Sequence, residues 1–126
     1  MKTRYVLVLA IFVLVLASCQ TPAQKSSGTY TGPYSSSGLT NNAGNGTMTI
    51  TTVSTKRINM VFSSTGNSNI NIPNVDITDI VGNYILDLSD DQGGTASMSA
   101  TITSNILAVA YSDTTYSLSV AGFTKQ

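Results

Sequence analysis

Few side chains in this sequence can carry chemistry, and their types exclude more than they suggest. The 126-residue chain has no His and a single Cys, Cys19. Its acidic residues are all Asp: Asp76, Asp79, Asp87, Asp90, Asp91 and Asp113. Without His the commonest general base is missing, and Ser–His and Cys–His nucleophiles are excluded. One Cys excludes an internal disulfide framework and any Cys/His zinc site. Asp87, Asp90 and Asp91 beside Gly93-Gly94 are spaced unlike a calcium loop, which needs alternating oxygen ligands closed by a Glu; a solvated hairpin loop is expected instead. Asp76 and Asp79 stand three apart on a strand and so point to opposite faces, which prevents them from flanking one glycosidic bond. No catalytic residue, no metal and no cofactor is expected.

What remains is soft and neutral. Tyr84, Met98, Tyr111 and Tyr116 offer ring faces, a polarisable sulfur and hydroxyls, with no charge to demand an ion. Together they form the expected ligand site, suited to a small, mostly apolar molecule held without salt dependence. Tyr30, Met48 and Met60 point the same way, and small Ala96, Ala100 and Gly32 would leave room. The competing reading of the same residues is a filled core with hydroxyls reaching the rim. Ser and Thr ranks such as Thr47-x-Thr49-x-Thr51 read as solvated β-surface.

Alternation is the only pattern strong enough to position these residues. After Gly28 no window holds apolar residues at helical spacing, whereas period-two runs recur between Gly, Asn, Asp and Ser clusters. Strands are expected near 28–35, 46–53, 57–64, 69–80 (interrupted at Pro73), 82–89, 95–103, 106–112 and 115–124. Pairing Met48, Ile50 and Thr52 with Phe62, Met60 and Ile58 puts every bulky residue on one face. So does pairing Met98, Ala100 and Ile102 with Tyr111, Val109 and Leu107. Leu86 opposite Met98 and Tyr111 opposite Tyr116 extend that face through the remaining hairpins. A one-residue slip would reverse it. The fold class is therefore all-β, an antiparallel up-and-down meander of about eight strands. Closure into a barrel hides its edges, with a β-sandwich as the alternative.

The opening Gly28-Thr29-Tyr30 strand, followed by consecutive hairpins, resembles the lipocalin and avidin group of calycin-like barrels. Tyr30 stands where that group carries Trp, and Lys125 where it carries an Arg that stacks on the ring. The resemblance implies a closed barrel and leaves the function open.

The N-terminus carries a second resemblance. Lys2 and Arg4 precede an unbroken apolar run from Tyr5 to Leu16, too short for a bilayer core but suited to a signal peptide. Leu16-Ala17-Ser18-Cys19 then resembles the bacterial lipobox. That implies cleavage before Cys19, acylation of its thiol by palmitate-type chains, and stable anchoring once two chains are present. Gln20, in place of the Asp that retains lipoproteins at the inner membrane, implies the outer membrane. The expected organisation is a cleaved signal peptide at 1–18, a lipidated Cys and polar tether at 19–27, and the barrel domain at 28–126. Asp113-Thr114-Thr115 resembles the O-glycosylation motif of Bacteroidota, which makes Thr114 the expected acceptor.

Past the signal peptide four basic residues face six acids, a balance that argues against nucleic acid and against electrostatic docking on anionic lipid. The expected function is that of an outer-membrane-anchored, non-catalytic, lipocalin-like binding or accessory module. Its partner would be a small apolar ligand or an envelope protein. The alternative is a structural envelope lipoprotein with a filled core.

Overall fold

The computed structural model describes residues 20–89 and 94–126. Cys19 and the signal segment before it lie outside the described residues, as do Asp90, Asp91 and Gly93. Eight antiparallel strands, each hydrogen-bonded to its sequence neighbours, close into a barrel when β1 pairs with β8. They are β1 (Gly28–Ser37), β2 (Ala43–Ser54), β3 (Arg57–Ser64), β4 (Ile70–Ile80), β5 (Asn83–Leu88), β6 (Ser97–Thr103), β7 (Ile106–Ser112) and β8 (Ser117–Lys125). Closure leaves no edge, so the barrel expected from the alternation stands and the sandwich does not. The architecture is consistent with a lipocalin-like fold. The core runs from Ala23 to Phe123, and the segment from Gln20 therefore carries its complete fold.

The inward face is the predicted one. Tyr30, Met48, Met60, Phe62 and Leu86 are fully buried, while Thr51, Ser99 and Thr101 face water. An apolar inside and a Ser/Thr outside is the reverse of a lipid-embedded barrel, whose outer band must be apolar.

Two hairpins are corrected in register. Leu86 pairs with Ala100, not Met98, and Tyr111 pairs with Leu118, not Tyr116. Both corrections are slips of two residues, which preserve the face each side chain occupies. The second has a visible cause. Asp113 Oδ1 accepts the N–H groups of Thr115 and Tyr116, each at 2.7 Å, and the Asp113 N–H donates to the Tyr116 carbonyl at 2.9 Å. These bonds fold 113–116 into a compact loop and remove Tyr116 from the ladder, so Ser112 and Ser117 close the hairpin.

Two irregularities change which residues face inward. Between Met60 and Ile58 the β3–β4 register shifts at Pro73-Asn74, where Asn74 takes φ 54°. Val75 and Ile77 thereby turn into the core. Between Val120 and Phe123 a bulge on β8 lets Phe123, rather than Gly122, enter the barrel.

The segment expected as a polar tether contains one helical turn, α1 (Pro22–Ser26), with Thr21 and Gln24 forming a reciprocal capping box. This turn lies across one end of the barrel with Ala23 and Ser26 buried. Tyr30 Oη donates to the Ser26 carbonyl at 2.7 Å and Thr52 Oγ1 donates to that of Ala23 at 3.3 Å. Lys125 Nζ donates to the Lys25 carbonyl at 2.9 Å and sits 5.9 Å from the centre of the Tyr30 ring. A Lys–Tyr cation–π pair thus stands where the resemblance implied Arg on Trp. We call this end, with the β2–β3, β4–β5 and β6–β7 turns, proximal, and the opposite end distal.

Candidate functional site

The barrel interior has little free volume at mid-height. Gly32 and Gly46 face inward on neighbouring strands, and aromatic rings occupy the space they leave. A Cβ on Gly32 would lie 3.0 Å from Phe123 Cδ1, and one on Gly46 would lie 2.5 Å from Phe62 Cε2. Phe62 meets Tyr34 edge-on with centroids 4.8 Å apart and lies 6.4 Å from Phe123. The room expected beside Gly32 is therefore taken by Phe123. Sequence reading missed that residue because the β8 bulge breaks the alternation that would have revealed it.

Above this layer the distal mouth is less completely closed. On one side Leu39 folds inward from the β1–β2 loop and is buried. Asn67 fixes that loop by donating from Nδ2 to Tyr34 Oη and to the Asn41 carbonyl, each at 2.9 Å, while Tyr34 Oη donates to the Asn41 carbonyl at 2.8 Å. Around the rest of the rim Leu88, Ala96 and Met98, and next to the Leu39 loop Tyr116, are only half-buried against the core. Two hydroxyls at this end, Ser36 Oγ on β1 and Ser89 Oγ just after β5, are buried without a hydrogen-bond partner among the described residues. In the barrel order these strands stand opposite one another. Buried polar groups are normally paired, so orphaned hydroxyls mark a place where a polar atom of a ligand would be satisfied.

The four residues expected to form one ligand site do not all meet. Met98 pairs directly with Tyr111, and Tyr116 closes the adjacent loop, so these three share the distal mouth. Tyr84 pairs with Ile102, four residues from Met98 along β6 and roughly 13 Å away at about 3.3 Å per residue. It belongs to the proximal half, where the Asp79 charge acts on it. Burial first, and that charge second, raise its hydroxyl pKa above the usual value.

Tyr111 has a structural duty at the mouth. Its hydroxyl donates to Asp113 Oδ2 at 2.7 Å, bracing the loop from the side opposite the two backbone donors. Burial, then the hydrogen bond and charge of Asp113, push the Tyr111 pKa up to about 12. Burial alone would raise the Asp113 carboxyl, but the donors from Tyr116, Tyr111 and Thr115 outweigh it and hold the group below its ordinary range. Thr114 is exposed at the tip of this braced loop.

Grooves of about 400 and 560 Å³ lie on the outer wall. The first runs between β1, β8 and β7 and is lined chiefly by Ser, with the Ser37 and Ser117 hydroxyls 2.6 Å apart. The second is lined by Thr31, Asn45, Thr47 and Ser63. Neither lining includes a charged side chain. Among the described residues no cluster of metal-ligating side chains occurs, and no helix is long and apolar enough to cross a membrane. Searches against protein-family models, curated proteins and solved structures found no match to this chain.

Proposed function

We propose that this protein is a lipid-anchored, non-catalytic binding module of the cell envelope that takes its ligand or partner at the distal mouth and not inside the barrel. One observation carries the reading: a lumen filled by Phe62, Phe123 and Tyr34 lies beneath a half-buried rim of Leu88, Met98 and Tyr116. A small ligand therefore rests on the aromatic layer and does not pass through it. The chemistry of the rim selects a neutral, mostly apolar molecule with a polar atom for either of the orphaned hydroxyls. Anchoring is supplied by Cys19, as the lipobox resemblance implies, and places the module at the outer membrane. The filled lumen equally favours a second reading, a structural envelope lipoprotein with no soluble ligand.

A thermal-shift screen of the segment from Gln20 against neutral hydrophobic molecules separates the two. A ligand in excess should raise the melting temperature by mass action, and Met98→Trp should abolish that rise while the fold survives. If no compound shifts the wild-type segment, the structural reading replaces the binding one. In the full chain, Cys19→Ser should remain an unprocessed precursor without incorporated palmitate. Processing and membrane retention equal to wild type contradict the anchor.

A further inference from the structure

The large apolar side chains that the barrel leaves exposed are not scattered. Val53, Ile80, Val81 and Ile106 are 49%, 50%, 96% and 48% exposed. They come from the end of β2, the end of β4, the β4–β5 turn and the start of β7. All four belong to the proximal end. Single exposed apolar residues need no explanation, but four on one rim do.

Val81 is the strongest of them. It stands at the tip of the β4–β5 hairpin with φ 54°, followed by Gly82 at φ 81°. A two-residue turn with both φ values positive favours Asn-Gly, and a β-branched residue there is strained. Almost full exposure means that no contact within the barrel repays the strain. Stability alone would not place a Val here.

Charge is sorted in the same direction. Lys25 on α1, Lys56 in the β2–β3 turn, Arg57 opening β3 and Lys125 ending β8 lie at the proximal end. These are all the basic residues among those described. Of the carboxylates on the neighbouring strands, Asp76 Oδ1 accepts from Arg57 Nε at 2.9 Å and Asp79 Oδ1 accepts the Gly82 N–H at 2.8 Å, while Asp87 is exposed opposite Asp76 on β5. Asp113 sits at the distal end. The described cations thus gather at one end, although the overall balance argues against docking on anionic lipid. The chain also enters at this end, where α1 is pinned to the barrel and leaves only Gln20 and Thr21 between it and Cys19.

We propose that the proximal end is a membrane-seating surface. Val81 and Ile80 enter the boundary between headgroups and acyl chains of an anionic bilayer, with Val53 and Ile106 at its edge. Lys25 and Lys56 face the lipid phosphates. Apolar insertion ringed by cations is how interfacial elements bind anionic membranes. The barrel then stands with its distal mouth pointing away from the lipid. The proposal rests on the anchored-module reading for its location only, since the surface binds without an acyl chain.

The test uses the segment from Gln20, which lacks Cys19, with vesicles of phosphatidylcholine with or without phosphatidylserine. The chain has no Trp, so Val81→Trp and Thr114→Trp each provide a single fluorophore. On phosphatidylserine vesicles with brominated acyl chains, Val81→Trp should shift to the blue and be quenched, whereas Thr114→Trp should do neither. Val81→Asn suits the turn and should melt no lower than wild type, yet bind these vesicles about tenfold more weakly. Binding should fall as salt rises and be weak on phosphatidylcholine alone. Equal responses from the two Trp variants, or no vesicle binding by a folded wild-type segment, overturn the proposal. So does a concentration-dependent dimer that Val81→Asn dissolves, which would assign the surface to a second copy of the chain. The anchor is read separately by palmitate incorporation in the full chain, so either idea can fail without the other.

Discussion

Replacing Gly46 by Ala tests whether the lumen is closed beneath the distal mouth. The added methyl would lie 2.5 Å from Cε2 and 2.8 Å from Cζ of Phe62, and 3.1 Å from Tyr34 Cδ1. Carbon atoms rest about 3.5–4.0 Å apart, so the Phe62 ring must retreat by about 1 Å. It has nowhere easy to go, because it is fully buried, held edge-on by Tyr34 and flanked by Phe123. Overpacking of this kind costs about 1–3 kcal/mol. Two terms act the other way. Gly46 is not among the glycines with positive φ, so Ala adopts its backbone without strain. Ala also restricts the unfolded chain, a gain of about 0.4–1 kcal/mol. The net loss spans roughly 0–2.6 kcal/mol and centres near about 1.3 kcal/mol, or about 5–10 °C in melting temperature at roughly 4–8 °C per kcal/mol. Urea and thermal unfolding of the segment from Gln20 measure it. Phe62→Leu should restore room, so the double variant Gly46→Ala/Phe62→Leu should be less destabilised than the sum of the singles by at least about 0.5 kcal/mol. A neutral or stabilising Gly46→Ala, additive with Phe62→Leu, would show that space stands open above Gly46. A ligand could then pass the aromatic layer, and confinement of the site to the mouth would be wrong.

Leu118 is 2% exposed and Ser119 faces water, so Leu118→Asp should lose several kcal/mol and unfold the domain at room temperature, while Ser119→Asp stays within about 0.5 kcal/mol of wild type. Equal melting temperatures for the two would contradict the alternation. Tyr30 and Tyr111 have pKa values raised from 10.0 to about 12, by burial first in both cases, so the fold favours their neutral forms. That stability is complete below pH 10 and is lost as pH rises from 10 to 12. Asp113 is lowered from 3.8, so its contribution is complete above that value and is lost as pH falls through the lower folded value. Tyr111→Phe should reduce both the alkaline and the acid loss, as read from urea midpoints across pH. An unchanged pH profile would mean that the Tyr111–Asp113 bond does not brace the loop.

The strand number, the strand spans to within a few residues, and the face of almost every strand residue are legible in the alternation alone. Those features follow from a period of two, which is local and survives a two-residue slip, so Leu86 and Leu118 were placed inside even though their partners were misread. The bulky core residues were legible for the same reason: Tyr30, Met48 and Phe62 fall in phase with their neighbours. Phe123 and Val75 did not, because a bulge inserts one residue and reverses the phase, and nothing in the composition of a short strand marks where that happens. Tyr84 was grouped with Met98 because both face inward, yet height along the barrel depends on how neighbouring strands are staggered. Only closure decided what lies at each end. Joining β1 to β8 brings Lys25 against Lys125, sets α1 beneath Tyr30, and gathers Val53, Ile80, Val81 and Ile106 on one rim. Residues so far apart in the chain become neighbours only through the whole ladder of strand pairings, and that ladder is a property of the folded barrel and of no single segment within it.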